Sequence, residues 1–293
     1  MKERFFKITD NIWVVKKAGF CFGVERSLKI ANEALDRALR EGINAYSIGK
    51  LIHNSYVVNS LERRGLKVRG IEDVEDGSIV VFRSHGVPRQ YYDIAKRKGL
   101  IVFDATCPLV QNAQRIVKKL TEEGKNVIII GDVHHPEVKA MVSYAVGNSK
   151  VKVMEPTHVL KGEYERGAEY VFQTTANRDV LEFLKRAGEN VHDTICNATK
   201  ERQRDSVELA KVVNVMVVVG GKDSSNTTKV YQKCKVINNN TYFVQDWEEF
   251  QKLGLPHRKD LIYGFTAGAS TPREQIIDIA RKWAEVLGMK VVA

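Results

Sequence analysis

Apolar residues fall along this chain in two rhythms. Val127 to Ile130 and Val215 to Val219 are unbroken apolar runs, as expected of strands covered on both faces of a parallel sheet. Val110, Ala113, Ile116, Val117 and Leu120 recur instead at three- and four-residue spacing, the stripe of an amphipathic helix. The rhythms alternate, and one order of events appears three times: a short apolar run, a tight turn, a cysteine, a long amphipathic helix. The first copy is Ile12 to Val15, then Ala18-Gly19-Phe20-Cys21, then a helix over 24–39. The second is Leu100 to Phe103, then Asp104-Ala105-Thr106-Cys107, then a helix over 110–120. The third is Val191, then Asp193-Thr194-Ile195-Cys196, then a helix over 200–212. The cysteines are spaced by 107 − 21 = 86 and 196 − 107 = 89 residues, a near-constant period that marks a repeat of whole α/β units.

Further polar clusters keep the same register. Four residues after Gly49, Gly131 and Gly220, each closing a strand, begin His53-Asn54, His135-Pro136-Glu137 and Ser224-Ser225-Asn226. Later in each copy a second strand runs into Ser84-His85-Gly86, Thr174-Thr175, or Thr266-Ala267-Gly268-Ala269-Ser270. The pattern predicts three α/β domains, residues 1–99, 100–188 and 189–293. Each is a small, mostly parallel four-stranded sheet with flanking helices, and the three are expected to pack around one central site. Residues 1–11 read as a leader into the first strand. The polar clusters all fall at the carboxyl ends of strands, where open α/β sheets bind ligands.

Composition narrows the classes. The 293 residues are 43% hydrophobic, enough for two or three domains with real cores. No apolar run approaches a membrane span, and the first residues lack the apolar core of a secretory signal. Four cysteines with no close pair argue against a disulfide framework or a zinc knuckle; a reducing, cytoplasmic location is the default. The net charge is +10, but the basic residues are dispersed among acidic ones, with no basic arm and no aromatic platform. Nucleic acid is therefore not the expected partner. Anionic metabolites and acidic proteins are, because a basic surface steers both.

Three thiolates from three equivalent turns fall one short of a structural zinc site. Iron–sulfur cubes usually take one cysteine per iron, so three suggest a 4Fe–4S cube with one iron open. Each of Cys21, Cys107 and Cys196 also precedes a helix, whose amide groups and dipole favour a thiolate. Cys234 lies outside the repeat and reads as a small buried hydrophobe. Ser224, Ser225, Asn226 and Ser270 stand at strand-to-helix junctions, where N–H groups and hydroxyls hold phosphate oxygens. His53, His85 and His135 occupy matching places and add donors; the other four histidines read as structural. Glu137 is the one carboxylate in these turns. Its position fits both an acid favouring a helix dipole and a proton donor.

These motifs, taken together and in order, resemble the LytB/IspH family of 4-hydroxy-3-methylbut-2-enyl diphosphate reductases. The resemblance rests on Ala18 to Val24, His53-Asn54, Ser84 to Val87, Asp104 to Pro108, His135 to Val138, Gln173 to Thr175, Cys196 to Thr199, Ser224 to Asn226 and Thr266 to Ser270, and covers nearly the whole chain. It implies three pseudo-repeated domains around an iron–sulfur cluster held by Cys21, Cys107 and Cys196. His53, His85, His135, Ser224, Ser225, Asn226 and Ser270 would bind the diphosphate, and Thr174 would lie near the substrate hydroxyl. Glu137, Thr174 and His135 would form the catalytic group, with Glu137 as proton relay. The implied reaction is reductive dehydroxylation to isopentenyl and dimethylallyl diphosphate, the last step of the methylerythritol phosphate route. A ferredoxin or flavodoxin would supply electrons, and the C-terminal RNA-binding domains of some relatives would be absent. Two other readings keep the iron–sulfur site: a non-redox enzyme like quinolinate synthase, and a non-catalytic sensor that needs no Glu137.

Overall fold

The computed structural model describes residues 4–291; Met1 to Glu3, part of the expected leader, lie outside them. The remainder of that leader is structured. Phe5–Thr9 (β1) pairs antiparallel with Ile12–Val15 (β2), with Asp10 and Asn11 at the turn. The chain then builds a sheet from β3 (Ala45–Ile48), β4 (Leu66–Arg69), β5 (Ile79–Phe82) and β6 (Ile101–Asp104). A second follows from β7 (Val127–Ile130), β8 (Val151–Met154), β9 (Glu169–Phe172) and β10 (Asn190–His192). The last strands are β11 (Val215–Val219), β12 (Thr241–Val244) and β13 (Tyr263–Ala267).

All three sheets share one strand order. The first is β4-β3-β5-β6 and the second β8-β7-β9-β10, both fully parallel. The third is β12-β11-β13-β2-β1, parallel except for its edge hairpin. The domain limits expected from the repeat are corrected by this pairing. β6 lies beyond residue 99 yet completes the first sheet on β5. β10 lies beyond residue 188 yet completes the second on β9. β2, from the start of the chain, completes the third on β13, and the hairpin gives that sheet five strands rather than four. Each strand leading to a cysteine thus closes the sheet of the preceding copy, and the third copy is closed by the N-terminus. Thr266 and Ala267, expected in a polar turn, are the last residues of β13.

The chain divides into two compact units. One comprises residues 1–22, 53–57 and 197–293 and holds the third sheet; the other comprises 23–52 and 58–196 and holds the first two. In the first unit Ile12, Val14, Val217, Phe265, Ile279 and Trp283 share one core. In the second, Ile128 and Ile130 pack with Phe172 and Leu181, whereas Val127 and Ile129 pack with Val117 and Val138. β7 is therefore covered on both faces, which is why it is unbrokenly apolar. Each such side chain contributes about 1.5–3 kcal/mol on full burial. No helix among the described residues is long and apolar enough to cross a membrane.

Candidate active site

The polar clusters after Gly49, Gly131 and Gly220 are helix N-caps. Val57 N–H donates to Asn54 Oδ1 at 3.2 Å, Glu137 N–H to His135 Nδ1 at 3.2 Å, and Thr227 N–H to Ser224 Oγ at 3.3 Å. One orphan donor of each helix is satisfied in this way. Helix starts of this kind favour anionic oxygens. Pro136 suits the first position of the Pro136–Ser143 helix, where no N–H is needed. Because His135 Nδ1 accepts, its Nε2 is the nitrogen that carries the ring proton.

The larger unit gathers His85, His135, Glu137, Thr174, Cys107 and Cys196. Glu137 is 2% exposed. Its Oε1 accepts from Thr174 N–H at 2.6 Å and its Oε2 from Thr174 Oγ1 at 2.9 Å. Thr174 C=O accepts from Cys196 N–H at 2.8 Å. The carboxylate, the threonine and the cysteine therefore form one hydrogen-bonded line. His85 meets His135 edge-to-face, with ring centroids 5.4 Å apart. Cys107 N–H donates to Ser84 C=O at 3.0 Å, tying this cysteine to the Ser84-His85 turn.

The smaller unit gathers Cys21, His53, Ser224, Ser225, Asn226 and Ser270. Ser270 Oγ donates to Ser224 Oγ at 3.1 Å, and Thr227 Oγ1 approaches the same oxygen at 2.9 Å. Gly268 permits this: a Cβ there would lie 2.0 Å from Thr227 Oγ1. His53 Nδ1 lies 3.5 Å from Asp223 Oδ2. Asn226 is 5% exposed, yet neither Oδ1 nor Nδ2 has a protein hydrogen-bond partner among the described residues. A buried amide in that state costs free energy unless something else satisfies it. The two Nδ2 donors, beside a serine cluster, suit the oxygens of a phosphorylated ligand. Cys21 N–H donates to Ala269 C=O at 3.3 Å, next to Ser270.

All four cysteines are free thiols. Cys21, Cys107 and Cys196 are half-buried and each stands immediately before a helix or its first residue. Soft, partly accessible cysteine sulfurs pinned by their own amides suit iron–sulfur ligation. Cys234 is fully buried in the apolar core, and burial pushes its thiol up to about 12, as befits a core residue.

Gln173 belongs to the Gln173 to Thr175 motif, but the sequence assigned it no role of its own. Gln173 is 1% exposed; its Oε1 accepts from Asp132 N–H at 3.2 Å, and its Nε2 has no protein partner among the described residues. The signal that could have found it is its place, directly before Thr174 at the end of β9.

Residues 12–284 match the family model described as LytB protein. The chain is 38% identical over 283 residues to the 4-hydroxy-3-methylbut-2-enyl diphosphate reductase of Geobacter metallireducens, covering 94% of this chain and 98% of that one. It is similar to a solved (E)-4-hydroxy-3-methyl-but-2-enyl diphosphate reductase, described as the terminal enzyme of the non-mevalonate pathway, at 36% identity and a TM-score of 0.66, covering 93% of this chain and 98% of the other. It is also similar to the solved E-1-hydroxy-2-methyl-but-2-enyl-4-diphosphate reductase of Plasmodium falciparum, at 28% identity and a TM-score of 0.81, covering 94% and 87%.

Proposed function

The chain belongs to the LytB family, and we propose that it reduces 4-hydroxy-3-methylbut-2-enyl diphosphate to isopentenyl and dimethylallyl diphosphate. The observation that carries this reading is the buried Glu137 carboxylate held by both donors of Thr174, whose carbonyl holds the amide of Cys196. An acid–base group is thereby fixed relative to a thiol ligand, an arrangement that a non-catalytic sensor does not need.

The family carries an iron–sulfur cluster. In this chain Cys21, Cys107 and Cys196 would hold it as a 4Fe–4S group with three protein ligands, and when bound it supplies the electrons. The reaction breaks one C–O bond, forms one C–H bond, releases water, and consumes two electrons and two protons. Glu137 would hold and deliver a proton, with Thr174 Oγ1 as its hydrogen-bonded neighbour and His135 completing the catalytic group. The N–H groups at the start of the Ser225–Ile237 helix, with Ser224, Ser225, Asn226 and Ser270, bind diphosphate oxygens. His53, His85 and His135 add N–H donors, so that the negative charge is met by several modest terms. Acidic one-electron carriers, a ferredoxin or flavodoxin, fit the net charge of +10. A reducing, cytoplasmic setting fits the free cysteines.

The test is anaerobic turnover of cluster-loaded protein with reduced viologen and the hydroxy diphosphate. Diphosphate-dependent dye oxidation with release of both isoprenoid diphosphates is expected. Dye oxidation that does not depend on the diphosphate would reject the reading.

A further inference from the structure

Two of the three cysteine turns continue the pairing of the sheets they leave. Phe82 pairs with Asp104, an offset of 104 − 82 = 22, which sets Ser84 opposite Thr106. The parallel ladder then calls on the next N–H, that of Cys107, and Cys107 N–H does donate to Ser84 C=O. Val171 pairs with His192, an offset of 21, which sets Thr174 opposite Ile195, and Cys196 N–H donates to Thr174 C=O. In both turns an aspartate braces the residue before the cysteine. Thr106 N–H donates to Asp104 Oδ1 at 2.9 Å, and Ile195 N–H to Asp193 Oδ1 at 3.3 Å.

The Cys21 turn departs from this rule. Phe265 pairs with Val14, an offset of 251, which sets Ala269 opposite Ala18. The ladder would call on Gly19 N–H, yet the donor to Ala269 C=O is Cys21, two residues later. The excess is absorbed at Gly19, whose φ of +116° is strained for any L side chain. The position of the bracing aspartate is Ala18. The carbonyls of Gly19 and Phe20 are held by a side chain. Arg202, 8% exposed, takes both: its Nε donates to Gly19 C=O at 3.0 Å and its Nη2 to Phe20 C=O at 2.7 Å. Its Nη1 donates to Ala198 C=O at 3.0 Å, one turn back on its own helix. The larger unit repeats the device. Ser27 Oγ donates to Ala105 C=O at 2.7 Å and Arg26 Nη1 to Thr106 C=O at 3.0 Å, so the two carbonyls before Cys107 are also gripped from a helix that follows a cysteine.

We propose that Arg202 is the positioning residue of Cys21: where the ladder is out of step and no aspartate braces the turn, its planar fork grips the two carbonyls before the cysteine and sets where the Cys21 thiol stands. A guanidinium suits this task, because its donors lie in one rigid plane and stay charged. The proposal rests on the reading of Cys21 as a cluster ligand.

The test uses hydrogen exchange of the apo protein, with iron release from the loaded protein to a chelator as second readout. Arg202→Lys keeps the charge and loses the fork. Exchange over 18–22 is expected to rise at least tenfold, with 104–107 and 193–196 unchanged, and iron release is expected to rise at least fivefold. Arg202→Met is expected to go further in both; should it fail to fold, the lysine variant decides. Unchanged exchange over 18–22, or an equal rise along the whole chain, overturns the proposal. Cys21→Ala separates the two claims: full iron content in that variant refutes the ligand reading and leaves the exchange result standing.

Discussion

Replacing Glu137 by glutamine changes one oxygen to an amide nitrogen at a position that is 2% exposed. Thr174 N–H now donates to Oε1 at 2.6 Å and Thr174 Oγ1 to Oε2 at 2.9 Å. In the variant the amide oxygen keeps the first bond, and the amide N–H donates to a rotated Thr174 hydroxyl. Hydrogen bonds to charged groups are worth about 1.5–3 kcal/mol and neutral ones about 0.5–1.5, so the change costs about 1–2 kcal/mol. Relief from burying a charge opposes that loss. The net effect on folding is about 1 kcal/mol, or a Tm shift of about 2–4 °C in a chain of this size. Catalysis responds on another scale. A positioned proton donor contributes about 10²–10⁴ in rate, which is about 2.7–5.4 kcal/mol at 1.36 kcal/mol per tenfold. Glu137→Gln is expected to keep its iron and its ligand affinity and to lose at least a hundredfold in anaerobic turnover with reduced viologen. Turnover within threefold of the parent, at equal iron content, would refute the proton-relay role.

Asn226→Ala removes an amide that bonds to no described protein group. Its Tm is expected to hold or rise, while calorimetric affinity for inorganic diphosphate falls about 5- to 150-fold, the loss of two bonds worth about 0.5–1.5 kcal/mol each; unchanged affinity would remove Asn226 from the anion site. Cys234→Ala is expected to leave iron content unaltered, and native Cys234 to resist iodoacetamide at pH 8, since its thiol titrates at about 12; rapid labelling of the folded chain would contradict its burial. Burial, above all, pushes the Tyr170 phenol from 10.0 up to about 12. The folded state thus keeps a proton that the unfolded chain releases, so this stability is complete below pH 10 and is lost as pH rises through 12. Tyr170→Phe should flatten that stretch of a stability–pH profile, and an unchanged slope would show that another group sets it.

The cysteines and polar clusters were readable because each is a local event: an apolar run, a turn, a reactive residue, a cap. Sheet closure was not, because a four-residue run such as Ile12 to Val15 carries no record of its neighbour. Its partner, β13, lies about 250 residues away. The hairpin before it did leave a signal, since Phe5–Thr9 is rich in β-forming residues and meets Asp10-Asn11. Reading those residues as a leader missed it. The burial of Gln173 and Arg202 was hidden for a different reason. Glutamine and arginine are mostly exposed, and only the packed chain reveals that these two are buried.

The permuted closure bears on function within each unit. Each of Cys21, Cys107 and Cys196 follows the strand that completes a sheet, and its amide is held by the carbonyl at the tip of the adjacent strand: Ala269 after β13, Ser84 after β5 and Thr174 after β9. Those tips also carry His85, Thr174 and Ser270. A side chain proposed to bind ligand and a thiol are thereby fixed by one strand pairing rather than by two loops moving independently. A slip of one residue in that pairing would turn every side chain of the strand to the other face, so the apolar faces of β5, β9 and β13 guard the register. The core of each sheet holds its thiol and its polar turn in a set relation. Cys21, where the chain runs two residues long, is the place where that guarantee fails and where a buried arginine has been added.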